Sequence, residues 1–160
     1  MLTFNHFNFN VSDLDKSLAF YKEALGLEPV RRKEAEDGSF VIYDGGWDYS
    51  TNKMSEKIFA VLSKNVPQGC DIVISAWVIT HAHTDHVGGF NTFIRTYREQ
   101  VTVKNIILNT PNEAFLLQTD MKNEVDYFRA TLKMCSSSDI IKAHPGQKLM
   151  LAGAQIEVLY

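Results

Sequence analysis

Apolar residues change their spacing several times along the chain, and each change marks a different element. Residues 2–11 alternate, with Leu2, Phe4 and His6 on one face and Phe7 and Phe9 on the other, which predicts a strand. Ser12 then stands as a helix N-cap with Asp15 three positions on. Leu14, Leu18, Tyr21 and Leu25 follow at helical spacing, and Gly26 is a natural stop. Residues 28–35 predict a second strand, Asp37-Gly38 a tight turn, and residues 39–43 the returning strand. Asp44-Gly45-Gly46 breaks that strand. A helix is expected over 53–63, burying Ile58, Phe59 and Leu62, and Pro67-Gln68-Gly69 closes the segment.

The second half reads differently. Residues 72–80 are nearly all apolar and rich in β-branched side chains, which predicts a strand buried on both faces by covering helices. A helix over 90–99, another buried strand over 103–108 and a longer helix capped by Asn112 follow, the last carrying Phe115, Leu116, Val125, Phe128 and Leu132. Ser136 to Ser138 form a polar break. Residues 148–151 and 155–159 pair best as a hairpin across Ala152-Gly153-Ala154. Strands alternating with helices place the chain in the α/β (or α+β) class.

Bulk properties narrow the partners. At 160 residues there is room for one ordinary domain or two very small ones. An apolar content of 45% with 22% charged residues suits a soluble globular protein. A net charge of -3 gives no electrostatic basis for binding nucleic acid or an anionic membrane. No apolar run reaches the roughly 18 residues a membrane span needs, and the first residues lack the basic start and apolar core of a signal peptide. Cys70 and Cys135 both lie outside any C-x-x-C pair and read as reduced thiols of a cytoplasmic protein.

Candidate chemistry concentrates in residues 78–89, VITHAHTDHVGG. His81 and His83 are spaced i, i+2 past a strand end, so extended backbone points both imidazoles the same way. Asp85 and His86 follow where the chain turns into a helix, and Gly88-Gly89 lets that helix start lie close to the site. Imidazole with carboxylate is a borderline ligand set that suits zinc, and also iron or manganese. A carboxylate beside a metal-bound water, here Asp85, can act as its base or orienter. Three surface histidines clustered by chance are the bland alternative, and with only five histidines in the chain it is the weaker one. Asp44 reads as a turn carboxylate bonding local backbone N–H groups, with a supporting role near the site as the second reading.

The same stretch resembles the T-H-x-H-x-D-H-x-G-G signature of the metallo-β-lactamase superfamily. FVIYDGG at 40–46 resembles that family's early strand and tight turn, and the resemblance covers about residues 39–160. It implies an αββα sandwich of which this chain carries the first half. It implies that His81 and His83 hold a first metal ion and Asp85 and His86 a second, with zinc as the expected cofactor in one or two copies. The implied activity is a metal-activated hydroxide attacking an ester-like centre of a small-molecule substrate. A complete site of this family also needs a third histidine, a bridging aspartate and a further histidine. The chain ends as the 148–159 hairpin closes, His144 precedes that hairpin, and no aspartate follows Asp139. Weak or absent turnover by this chain, and homo-oligomerisation through exposed sheet surface, are the expectations.

Residues 6–30, HFNFNVSDLDKSLAFYKEALGLEPV, resemble instead the glyoxalase/vicinal oxygen chelate superfamily, and lactoylglutathione lyase in particular. The family's D-L-x-K-S-x-x-F-Y-x-x-x-L-G-L helix is matched by Asp13, Leu14, Lys16, Ser17, Phe20, Tyr21, Leu25, Gly26 and Leu27. The resemblance implies a metal-ligand role for His6, whose own surroundings beside Leu2 and Phe4 read as those of a packed histidine. Its partner glutamates have no counterpart. The chain is therefore expected to be a chimera: a glyoxalase-like βαβ fragment over 1–38 joined, near Asp37 to Phe40, to the N-terminal half of a metallo-β-lactamase-like domain over 39–160. Three functions compete: a metal-dependent hydrolase, a lactoylglutathione lyase-like metalloenzyme, and a non-catalytic fragment.

Overall fold

The computed structural model of the chain describes residues 14–26, 37–109 and 122–159. The chain divides into two compact units, Met1–Lys33 and Glu34–Tyr160. In the first unit the described element is helix α1, Leu14–Leu25, with Asp15 in its first turn and Lys22 in its last, the charge order that its dipole favours. Gly26 ends it at φ +65° by donating its N–H to Lys22 O at 3.0 Å. His6, Ser12, the strands expected over 2–11 and 28–35, and the start of the helix expected at Asn112 lie outside the described residues.

The second unit is a mixed α/β fold on a five-stranded sheet. Strands β1 (Phe40–Tyr43), β2 (Ile72–Ile79), β4 (Asn105–Leu108) and β5 (Asp139–Lys142) lie side by side in that order, and β3 (Val101–Val103) pairs the first part of β2. Every pairing in this sheet is parallel. Helices α2 (Met54–Asn65), α3 (Thr84–Tyr97) and α4 (Lys122–Leu132) contribute to the core of one face, where Leu62, Trp77, Phe90, Phe93, Val125 and Phe128 are buried together. Trp77 meets Phe90 and Phe93 edge-on at 5.0 and 5.1 Å between ring centres. Fully burying one such side chain stabilises the fold by roughly 1.5–3 kcal/mol. The hairpin β6 (Lys148–Leu151) and β7 (Ala154–Glu157) pairs antiparallel, and its Leu151 packs with Ala76 and Ile107 in a smaller cluster.

The central strand was expected to be continuous and buried on both sides, and it is, but its two halves are out of phase. Ile72 and Ile74 belong to the main core, and so do Trp77 and Ile79. Strict alternation would put 74 and 77 on opposite faces. Phe40 pairs with Ile74 and Val41 with Ala76, so Ser75 is an extra residue, a β-bulge. The expected single strand over 103–108 is corrected for the same reason. It is two strands broken at Lys104, with Val103 and Ile106 both facing the main core. The Asn105 side-chain amide donates to Ser75 O at 2.7 Å, satisfying the carbonyl that the bulge leaves over.

Two further expectations are corrected. The helix expected over 90–99 begins at Thr84, so Asp85, His86 and both glycines lie within it. Strand β5 was not expected at all, although Ile141 is drawn into the smaller cluster. No helix among the described residues is long and apolar enough to cross a membrane.

Candidate metal centre

Because the sheet is parallel, the carboxyl ends of its strands share one edge, where open α/β sheets place their ligands. Tyr43 leads there into Asp44, Ile79 into Thr80 and His81, and Lys142 into Ala143 and His144. His83 forms the N-cap of α3 in extended backbone, and its carbonyl accepts the N–H groups of His86 and Val87, both at 2.9 Å. The His83 side chain makes no cap bond. Instead Glu124, in the first turn of α4, accepts the Thr84 N–H at 3.1 Å.

Within this frame His81, Asp85 and His86 converge, with one ligand atom from each lying within 4.8 Å of the others. The His81 and His86 rings are tilted 48° with centres 3.7 Å apart, and His86 Nε2 lies 3.6 Å from Asp85 Oδ2. The exposed His83 ring stands edge-on to His81 at 4.8 Å but outside that three-residue group. His144 is two strands along the edge, and its polar contacts are to Gln147 and Pro145 in its own turn.

Asp44 corrects the expectation that it serves its local turn. Its carboxylate accepts the Thr80 N–H at 2.8 Å and the Thr80 hydroxyl at 2.7 Å, and His86 Nδ1 lies 2.8 Å from Oδ2. These bonds fix tautomers. A carboxylate only accepts, so His86 Nδ1 carries a hydrogen, and Nε2 is the ring nitrogen nearer Asp85. The Thr80 hydroxyl spends its hydrogen on Asp44 and can accept from His81 Nδ1, 3.1 Å away, which frees His81 Nε2 in the same way. Burial, and then the neighbouring His86 and His83, hold the His81 imidazole below its usual range, against the pull of Asp44 and Asp85. Neutral imidazole is the form that binds metal. Two imidazoles and a carboxylate brought this close to one another fit a divalent ion of the borderline class.

Asp44 holds its position at a conformational cost, since its φ of +52° is left-handed. The cost is offset by its bonds: its N–H donates to Val78 O at 2.8 Å, and its carbonyl accepts the buried Trp77 Nε1–H at 3.0 Å. The following turn is clamped to α3 by Gly45 N–H to His86 O at 2.5 Å and Gly89 N–H to Gly46 O at 2.8 Å. A methyl group on Gly89 would lie 1.9 Å from Gly45 O, so the glycine pair admits this turn to the helix as much as it admits the helix to the site. Thr80 and Glu124 were not singled out as site residues from sequence, and Asp44 was given a supporting role only as its second reading. For Asp44 the signal was its place between a strand and a glycine pair. For Glu124 there was none.

The family model of the metallo-beta-lactamase superfamily matches residues 34–146. That of the Glyoxalase/Bleomycin resistance protein/Dioxygenase superfamily matches residues 3–64, so both cover 34–64 and the two-superfamily composition expected from the sequence is found. No curated protein and no solved structure matched the chain.

Proposed function

The chain belongs to the metallo-β-lactamase superfamily, and from that premise we propose that it is a metal-dependent hydrolase whose ion is held by His81, Asp85 and His86, with His83 as a further ligand. The observation that supports this most is the Asp44–Thr80 network, which engages Nδ1 of both His81 and His86 and so leaves their Nε2 atoms for an ion. When bound, the ion supplies Lewis acidity and a nucleophile drawn from water at neutral pH. Zinc suits the donor set first, and iron or manganese next. Asp44 would hold the proton on His86 Nδ1, Thr80 would receive that of His81, and Asp85 would supply the carboxylate of the donor set, with orientation of an attacking water as its second role. The substrate class is a small molecule with an ester-like bond.

Hydrolysis of 4-nitrophenyl acetate tests this reading. A rate that zinc raises, EDTA removes and His86→Ala abolishes is expected. A rate indifferent to EDTA refutes it. A lactoylglutathione lyase-like activity is the second reading, favoured by the family match over 3–64. Its candidate ligand, His6, lies outside the described residues.

A further inference from the structure

The amino edge of the parallel sheet, at the other end of the strands from the histidines, carries a cavity of its own. Arg98 and Glu99 at the end of α3, Val101 and Val103 of β3, and residues 135–138 between α4 and β5 line a space of about 290 Å³. Two of these linings present hydrogen-bond donors. Ser138 N–H donates to Cys135 O at 3.0 Å and closes a four-residue turn. The N–H groups of Ser136 and Ser137, in the middle of that turn, lie outside its hydrogen bond, and successive N–H groups in a turn favour anions. Both residues are exposed and add hydroxyls. Ser138 Oγ donates to Val103 O at 2.7 Å, which ties the turn to β3.

The second lining is the Arg98 guanidinium. Its Nη1 donates to Arg95 O at 3.3 Å and its Nε lies 3.1 Å from Glu99 Oε1, contacts that hold the group at the helix end without using all five of its N–H donors. Its charge reaches the Cys135 thiol, whose ionisation it favours against the larger effect of burial. Helix-end carbonyls oppose an anion, but those nearest are occupied. Ile94 O accepts Arg98 N–H, Tyr97 O accepts Gln100 N–H, Thr131 O accepts Met134 N–H and Leu132 O accepts Cys135 N–H. Glu99 is the remaining opponent, and with its side chain 84% exposed it holds Arg98 weakly.

We propose that this cavity binds a small phosphate-bearing anion between the Arg98 guanidinium and the Ser136-Ser137 turn. A tetrahedral oxyanion offers acceptors in several directions, as donors on two separate elements require, whereas a carboxylate offers two oxygens in one plane. The ligand takes the guanidinium from Glu99. The site owes nothing to the histidines and stands or falls apart from the hydrolase reading.

Inorganic phosphate is titrated into the isotope-labelled full chain in EDTA at constant ionic strength, with amide NMR shifts read residue by residue and acetate as the second probe. Saturable shifts centred on Ser136 and Ser137 are expected, with phosphate bound about tenfold more tightly than acetate. Arg98→Gln should weaken phosphate about tenfold, and Glu99→Gln, which removes the competing carboxylate, should tighten it. If Arg98→Gln does not fold, the Glu99→Gln result decides. No saturation, shifts centred on the histidines at 81–86, an equal response to acetate, or an affinity that the folded variants leave within twofold of the parent overturns the proposal.

Discussion

Replacing Asp44 with asparagine changes one atom and should weaken metal binding without unfolding the chain. Asparagine tolerates the left-handed φ of +52° and still accepts the Thr80 N–H through its amide oxygen. The other end of the side chain becomes an NH2 group. It now faces His86 Nδ1 at the position where 2.8 Å separates donor from carboxylate, and it faces the Thr80 hydroxyl, which sat 2.7 Å away. Two donors cannot share that contact, so His86 must take its hydrogen on Nε2, the atom nearest Asp85. Loss of such an outer partner costs about 10- to 100-fold in metal affinity, roughly 1.4–2.8 kcal/mol. Zinc competition against a chromophoric chelator measures it, with thermal unfolding in EDTA as the control for folding. An affinity within twofold of the parent, in a variant that melts normally, would refute the assignment of Asp44 as the group that orients His86.

Glu124→Ala should destabilise the chain by about 1 kcal/mol in urea unfolding, because the Thr84 N–H at the start of α3 loses its acceptor; Glu124→Gln, which keeps a carbonyl, should recover part of it. Gly89→Ala should cost about 3 kcal/mol or more, since the added methyl meets the Gly45 carbonyl at 1.9 Å, and a melting temperature near the parent's would contradict the close packing of turn and helix. Of the two thiols, exposed Cys70 should react with iodoacetamide at pH 8 while Cys135, buried and pushed up to about 11, stays unmodified until the chain unfolds. That raised value also carries a pH dependence. The folded chain keeps the Cys135 thiol neutral while the unfolded chain ionises near 9, so its contribution is complete below pH 9 and is lost as pH rises toward 11. Unfolding free energies that stay flat between pH 8.5 and 10.5 would disagree.

What could be read from the sequence follows from how local each signal is. The 72–79 strand announces itself through eight consecutive residues without a charge, and the buried faces of α2 and α4 through helical spacing. The histidines stand in one short stretch whose spacing already limits where they can point. The bulge at Ser75 and the break at Lys104 depend on two strands shifting together, and neither strand alone records it. Strand β5, Asp-Ile-Ile-Lys, is too short and too flanked by charge to show a period, and it is a strand because β4 offers it an edge. Asp44 lies 42 positions from His86, so a turn carboxylate and a site carboxylate look the same until the fold brings them together. Glu124 reaches Thr84 across 40 positions for the same reason.

The most direct test of the central claim is bound metal counted by elemental analysis. The full chain is equilibrated with zinc and passed through gel filtration, beside a His81→Ala/His86→Ala variant. At least one ion per chain, lost in the variant, is the expected result. No ion in the parent chain, or an ion that the variant retains, would contradict a metal centre built on His81, Asp85 and His86.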